Sequence, residues 1–210
     1  HLLSLINDIL DMSRIESGKV QLEEMPWRLP ELLQGVCSMV QAEIHAKNLT
    51  FYMDMEELAD EEIYCDKLRL NQVLLNLLGN AIKYTNEGGT IYMRILEKAG
   101  APAGYGHYEF YVRDTGIGMS EEFVTHIFEP FEREKNSTIS RIQGTGLGMA
   151  ITKNIVDMMN GSIEVKSELG VGTEFRVSFH FRLHSKAEAS ENTGGAVSEA
   201  GAFGGAAPGG

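Results

Sequence analysis

Three short stretches combine residue types that phosphate and purine chemistry need. The first is DKLRLNQVLLNLLGNAIKYT, residues 66–85. At helical periodicity Asn76, Asn80 and Lys83 fall within about 60° of one another. Gln72 lies on the same edge and Tyr84 flanks it, while Leu70, Val73, Leu74, Leu77, Leu78, Ala81 and Ile82 fill the remainder. Asn76, Asn80 and Lys83 thus share one edge of a helix whose other side is apolar. A carboxamide oxygen is a hard, neutral ligand suited to Mg2+, and an ammonium is a point charge suited to phosphate. A solvated face is the plainer explanation, although such faces more usually carry Glu and Lys than Asn, a mediocre helix former.

The second stretch is DTGIG, residues 114–118. Phe110, Val112 and Asp114 share one parity on the strand that precedes it, so if the first two point inward, so does Asp114. A buried carboxylate needs a donor, and an adenine amino group is one. Gly116 and Gly118 let the backbone approach a ligand closely. A strand ending in a tight turn is equally compatible with Asp and Gly there. The third stretch, GTGLGMA at 144–150, leads into a helical pattern. Glycines at a helix N-terminus offer free N–H groups and a favourable dipole to an anion. The G-x-G-x-G spacing and the missing Gly-Lys-Ser/Thr exclude a dinucleotide fingerprint and a P-loop, leaving a flexible connector as the bland alternative. Between the second and third stretches, Phe128 and Phe131 flank Pro130 and are followed by Arg133 and the polar run EKNSTISRIQ. Two aromatics around a proline form a packing cluster. A structureless loop of ~12–15 residues, carrying Arg133, Lys135 and Arg141, reads as a lid.

These stretches need a scaffold to position them. Residues 1–18 place Leu2, Leu3, Ile6, Ile9 and Leu10 at helical spacing, a stripe too broad for one helix to bury alone, and Gly18 marks its stop. The helix wants a partner helix; folding back on the main body is the alternative. A connector with Pro26 and Pro30 follows. A helix then runs to about residue 47, with strands at 49–55, 63–65, 90–98 and 108–114. After the glycine-rich helix, which ends at Asn160-Gly161, come two strands joined at Leu169-Gly170. Helices and strands mix without strict βαβ alternation. This predicts an α+β two-layer sandwich, a mixed sheet covered by helices on one face and preceded by one amphipathic helix. The domain limits follow: 1–21 for that helix, 22–29 for a connector, 30–184 for the sandwich, and 185–210 for a Gly/Ala-rich linker or tail.

Composition narrows the function. The 210 residues carry a net charge of −12, which argues against a nucleic-acid binder. Cys37 and Cys65 have no Cys or His at metal-ligand spacing and read as small packing residues. No apolar run reaches the ~18–20 residues of a membrane helix. Asp8, Asp11 and Arg14 interrupt the first apolar stretch, which is therefore no signal peptide. The chain opens on His1, and the expectation is an excised fragment whose parent could carry a membrane anchor.

Taken together, N-x-x-x-N-A-x-K-Y, D-x-G-x-G, F-x-P-F-x-R and G-x-G-x-G are far more specific than any one of them. In this order they resemble the N box, first glycine box, F box and second glycine box of bacterial sensor histidine kinases. These kinases belong to the gyrase, chaperone, histidine kinase and mismatch-repair ATPase superfamily. The resemblance spans roughly residues 29–183, and residues 1–21 resemble the second half of the family's dimerisation and phosphoacceptor hairpin.

The resemblance implies roles. Asn80 would ligate Mg2+; Asn76 and Lys83 would contact the ATP phosphates; Tyr84 would pack near adenine and ribose. Asp114 would accept from the adenine amino group. Gly116, Gly118, Gly144, Gly146 and Gly148, the last three with Thr145 and Leu147 between them, would bring backbone close to the nucleotide. Phe128, Phe131 and Arg133 would belong to an ATP lid, and Asn76, Lys83 and Arg133 would be the catalytic groups. The phosphoacceptor motif, a His followed by Glu or Asp, is missing: His1 precedes Leu2, and His45, His107, His126, His180 and His184 lack that context. The implied reaction is therefore ATP-dependent phosphorylation of a histidine upstream of this segment, in the same or a partner subunit, for relay to a response-regulator receiver domain. The segment would be cytoplasmic and monomeric or weakly dimeric, and its parent a homodimer that could be hybrid and membrane-anchored. Two other readings stay open: a nucleotide-binding scaffold or switch, and an ATP hydrolase. The hydrolase is disfavoured because Asn76 stands where those relatives carry a Glu base.

Overall fold

The computed structural model describes residues 2–18, 20–55, 58–132 and 145–184. The apolar sides of three helices and one face of a mixed sheet close on each other. The elements are α1 (Leu2–Glu16), β1 (Met25–Arg28), α2 (Leu29–Ala46), β2 (Thr50–Met55), β3 (Glu62–Cys65) and α3 (Lys67–Tyr84). They continue with β4 (Thr90–Lys98), β5 (Tyr105–Asp114), α4 (Glu121–His126), α5 (Gly148–Met158), β6 (Ser162–Glu168) and β7 (Gly172–Leu183). The sheet runs β1-β3-β7-β5-β4-β2, and β6 pairs with β7 alongside β3. Only β2 and β4 are parallel; the other ladders are antiparallel. The expected mixed, two-layer α+β sandwich is what forms.

Period-two alternation decides which face is covered. Ile91, Met93 and Ile95 of β4, Tyr108, Phe110 and Val112 of β5, and Val177 and Phe179 of β7 are at most 1% exposed. They meet Leu33 and Val36 of α2, Leu70, Leu74 and Leu77 of α3, and Ile155 and Val156 of α5, all fully buried. The opposite face is polar and holds its own network. Arg176 bridges Glu109 and Glu164, and Tyr111 donates to Glu109. Burial alone would raise the Glu109 carboxyl, but Tyr111, Arg176 and Lys98 outweigh it and hold it below its ordinary value. Cys65 lies within the core, where burial pushes its thiol up to about 12, and burial likewise raises Cys37. Both stay protonated and unreactive, as their sequence context indicates.

Two elements depart from the sequence expectations. The segment read as a connector, 22–29, contains β1, which pairs with β3 through Met25↔Cys65 to Arg28↔Glu62. Pro26 hid it, since proline removes a ladder donor; the structure accommodates it on an edge strand. The short helix α4 was not foreseen. Ser120 caps it by accepting from the Phe123 N–H.

Helix α1 folds back on the body, the alternative to a partner helix. Met12 and Ile15 pack against the core, Asp8 accepts from the Thr145 hydroxyl at 3.0 Å, and Asp11 accepts from Gln72 Nε2 at 3.2 Å. Ile6, Ile9 and Leu10 remain nearly half exposed, an apolar stripe the rest of the described chain does not cover. No described helix is long and apolar enough to cross a membrane. The expected tail at 185–210 lies outside the described residues.

The entry into α3 is held by Asp66, only 6% exposed. One carboxylate oxygen caps the helix by accepting from the Arg69 N–H at 3.0 Å, and the other accepts from the Glu23 N–H at 3.0 Å. Asp66→Ala removes both bonds and is expected to cost about 2 kcal/mol. Denaturant midpoints of the two chains measure it; a loss below roughly 0.5 kcal/mol contradicts the double role.

Candidate functional site

Helix α3 is the spine of the site. Asn76, Asn80, Lys83 and Tyr84 lie on its last turns, each partly exposed while the apolar side is buried. Asn76 and Tyr84 are eight residues apart, about 12 Å along the axis. The two ends of this edge meet different partners.

At the C-terminal end, α3 runs into the loop that follows β5. Asp114 is the last residue of β5, shares the inward face of Phe110 and Val112 as expected, and is 7% exposed. Burial raises its carboxyl to about 6 from the ordinary 3.8, against the opposing effect of the Gly116 and Thr173 N–H groups that donate to it. The loop glycines are required first by the protein itself. A Cβ on Gly116 would lie 2.5 Å from the Tyr84 carbonyl oxygen, and one on Gly118, where φ is +64°, 1.9 Å from the Glu168 carbonyl oxygen. The Ile117 N–H donates to Tyr84 O and its carbonyl accepts from Gly170 N–H. The loop is thus clamped between α3 and the β6–β7 turn. The Lys83 ammonium lies 4.8 Å from the centre of the Tyr84 ring, and Lys47 Nζ donates to the carbonyls of Ile82 and Lys83.

At the other end, α3 meets the first turn of α5. Asn76 Nδ2 donates to the Gly148 carbonyl and to Thr152 Oγ1, both at 2.5 Å. Asn80 Nδ2 donates to Met149 Sδ at 3.1 Å. Leu147 precedes the helix without a side-chain cap, which leaves its first-turn N–H groups open to an anion. Gly146 adopts φ +73°, and the Thr145 hydroxyl accepts from the Leu147 N–H. Phe131, 63% exposed at φ +66°, donates its N–H to the Gly146 carbonyl. The ends of the segment read as a lid are therefore tied together beside α5. Phe128 packs against the core. Arg133, Gly144 and the lid between them lie outside the described residues, as does His1.

The structure thus brings Asn76, Asn80, Gly148 and Leu147 together, and separately Tyr84, Asp114, Gly116 and Gly118, with α3 as the link. Sequence reasoning missed Met149, Thr152, Thr173 and Asp8. Thr152, a lone hydroxyl on the buried stripe of α5, was the available signal. Among the described residues no group of three His, Cys, Asp or Glu could cage a metal. Mg2+ needs no such cage, because it keeps waters and shares phosphate oxygens with one or two protein oxygens. The Asn80 carboxamide oxygen fits that requirement. The other described histidines sit away from this edge: His107 stacks on His180, His126 pairs with Glu129, His184 meets Tyr64, and His45 lies on α2.

Residues 65–183 match the family model described as histidine kinase-, DNA gyrase B-, and HSP90-like ATPase. The chain belongs to this ATPase family. Within it, the chain is homologous to the catalytic domains of sensor histidine kinases. It is 35% identical over 192 residues to the autoinducer 2 sensor kinase/phosphatase LuxQ of Vibrio cholerae, covering 91% of this chain and 22% of that protein. Full-length ShkA, crystallised with AMPPNP, superposes with a TM-score of 0.73 at 33% identity, over 88% of this chain and 37% of ShkA. Histidine kinase ThkA in complex with the response regulator protein TrrA matches with a TM-score of 0.66 at 25% identity, over 85% of this chain and 47% of that one. The chain therefore spans about a fifth of the length of a curated sensor-kinase relative.

The raised Asp114 carboxyl has a measurable consequence. The folded ATPase domain holds its proton up to about pH 6, the unfolded chain only to 3.8. The contribution of this group to stability is complete below pH 3.8 and is lost as pH rises through about 6, a change of at most ~3 kcal/mol. Asp114→Asn is expected to remove that part of the pH profile. Denaturant unfolding of both chains between pH 4 and 8 reads it: the difference between them should change across that window, and a constant difference contradicts the buried titration.

Proposed function

We propose that this chain is the ATP-binding catalytic part of a sensor histidine kinase. It transfers the γ-phosphoryl group of ATP to a histidine imidazole on a helix outside this segment, in the same or a partner subunit. The observation that carries the reading is the two-ended edge of α3. A buried carboxylate at Asp114 lies beyond its C-terminal end, and an uncapped helix N-terminus at α5 lies against Asn76 and Asn80.

The residues supply binding and positioning, which is most of what phosphoryl transfer asks of a protein. Asp114, ionised above about pH 6, accepts from the adenine amino group and holds the base at the glycine loop. Tyr84 packs on the nucleoside side. Lys83 and the first-turn N–H groups of α5 offset phosphate charge, and Arg133 adds to this from the lid. Asn80 is the residue that would hold Mg2+, which supplies charge neutralisation across the phosphates. Asn76 is a neutral amide whose N–H groups bond to α5, so it does not act as a base toward water. That favours transfer over hydrolysis. A receiver domain is the next acceptor in this reading, supported by the likeness to ThkA bound to its response regulator.

Calorimetric titration with a non-hydrolysable ATP analogue tests the site. The chain should bind, Asp114→Asn should lower affinity at least about a hundredfold by leaving the adenine unmatched, and Asn80→Ala should remove the Mg2+ dependence. The affinity of the parent chain should fall as pH drops below about 6, where Asp114 takes up its proton. A folded chain that binds no nucleotide sinks the proposal and favours a scaffold. With binding established, γ-labelled ATP should label a histidine in a longer chain carrying the upstream helix, and the label should resist hydroxylamine-free alkali but not acid.

A further inference from the structure

Asn76 and Asn80 of α3 both turn their amino groups to α5, and the partners that receive them differ in kind. The Gly148 carbonyl oxygen and the Met149 thioether can only accept, and Thr152 Oγ1 accepts as well. Asn76 Nδ2 has two hydrogens and two acceptors, so its donor capacity is spent. Thr152 is 1% exposed, leaving its hydroxyl no solvent to substitute for Asn76. The fit is tight: a Cβ on Gly148 would lie 2.7 Å from Asn76 Oδ1.

A carboxamide has two orientations of similar shape and opposite electrostatics. Acceptor partners on one side select the orientation that keeps nitrogen with them and leaves oxygen for whatever lies beyond. We infer that the first turn of α5 is an orienting device for the two asparagines, with Thr152 as the positioning residue for Asn76 and Met149 for Asn80. Asn76 then meets the nucleotide site through Oδ1 alone, and Asn80 turns its nitrogen toward Met149 and its oxygen toward the site. A carbonyl oxygen repels phosphate oxygens and attracts a hydrated divalent cation. Asn76 therefore sides with Asn80 on the cation, through its water shell, and the phosphate contacts fall to Lys83 and the α5 N–H groups. This revises the phosphate role that the resemblance implies for Asn76, and it rests on the proposed assignment of Asn80 to Mg2+.

The test compares Thr152→Val, which keeps the shape and loses the acceptor, with Thr152→Ser, which keeps the acceptor. The affinity of each full chain for AMPPNP is measured with Mg2+ and with EDTA. The ratio of the two affinities is the readout, because a packing defect moves both together. In Thr152→Val the Mg2+-dependent gain should shrink about five- to tenfold, the scale of one hydrogen bond between neutral groups, with the EDTA affinity little changed. Thr152→Ser should keep the wild-type ratio. If the valine chain does not fold, Thr152→Ala takes its place. An unchanged ratio in Thr152→Val, equal losses in both conditions, or a serine variant that behaves like valine overturns the inference and leaves the nucleotide site standing. A wild-type chain that binds AMPPNP with no Mg2+ dependence overturns this inference and the Asn80 assignment together, and one that binds no AMPPNP overturns the nucleotide reading as well.

Discussion

Everything in the site is referred to α3, and α3 is fixed by burial. Leu70, Val73, Leu74, Leu77 and Leu78 are fully buried against the sheet and α2, which leaves one edge of the helix to face outward. With about 25 cal/mol for each Å2 of apolar surface removed from water, rotating this helix by even one residue would cost several kcal/mol. The polar edge can therefore hold neutral amides, which contribute little to helix stability, because orientation does not depend on them. The core pays for placement, and the edge is free to be chosen for chemistry.

The same logic explains why the glycines are needed. They first permit close internal contacts: Gly116 against the backbone carbonyl of Tyr84, Gly118 against the backbone of the β6–β7 turn, and Gly148 against the Asn76 side chain. Each close approach brings a ligand-facing group to its place. Gly116 donates to Asp114, and Gly148 offers its carbonyl to Asn76. Ligand approach and internal packing use the same missing Cβ, so neither role can be separated from the other by sequence alone.

Sequence patterning reached the long helices, the long strands and the inward parity of Asp114, because each is a local consequence of periodicity. It failed at β1, where the ladder partner is about 40 residues away and Pro26 contradicts the local signal. It also failed at the contacts that orient the site. Thr152 and Asp8 are ordinary residues on ordinary helices. Their roles come from meeting Asn76 and Thr145 across 76 and 137 residues of chain, and no local pattern encodes that. The motif residues were legible because chemistry restricts their type. The residues that aim them were not, since any acceptor of suitable size would serve.

The arrangement divides labour between rigid and adjustable parts. The adenine end is built from clamped backbone and a carboxylate whose burial raises it to about 6. That burial disfavours the ionised carboxylate in the empty protein, and in the proposed function an adenine amino group would offset this by adding a donor to those of Gly116 and Thr173. The phosphate end has no such preformed charge. Its N–H groups belong to a helix turn reached through residues 131 and 146, and that same turn holds both asparagine amides. A displacement of α5 would therefore change anion binding and amide orientation together. Helix α1 touches the entry to this turn through Asp8 and Thr145 and α3 through Asp11 and Gln72, so a movement of α1 bears directly on both helices that form the phosphate end. In the proposed kinase, coupling of that kind would let the position of α1 bias phosphoryl transfer.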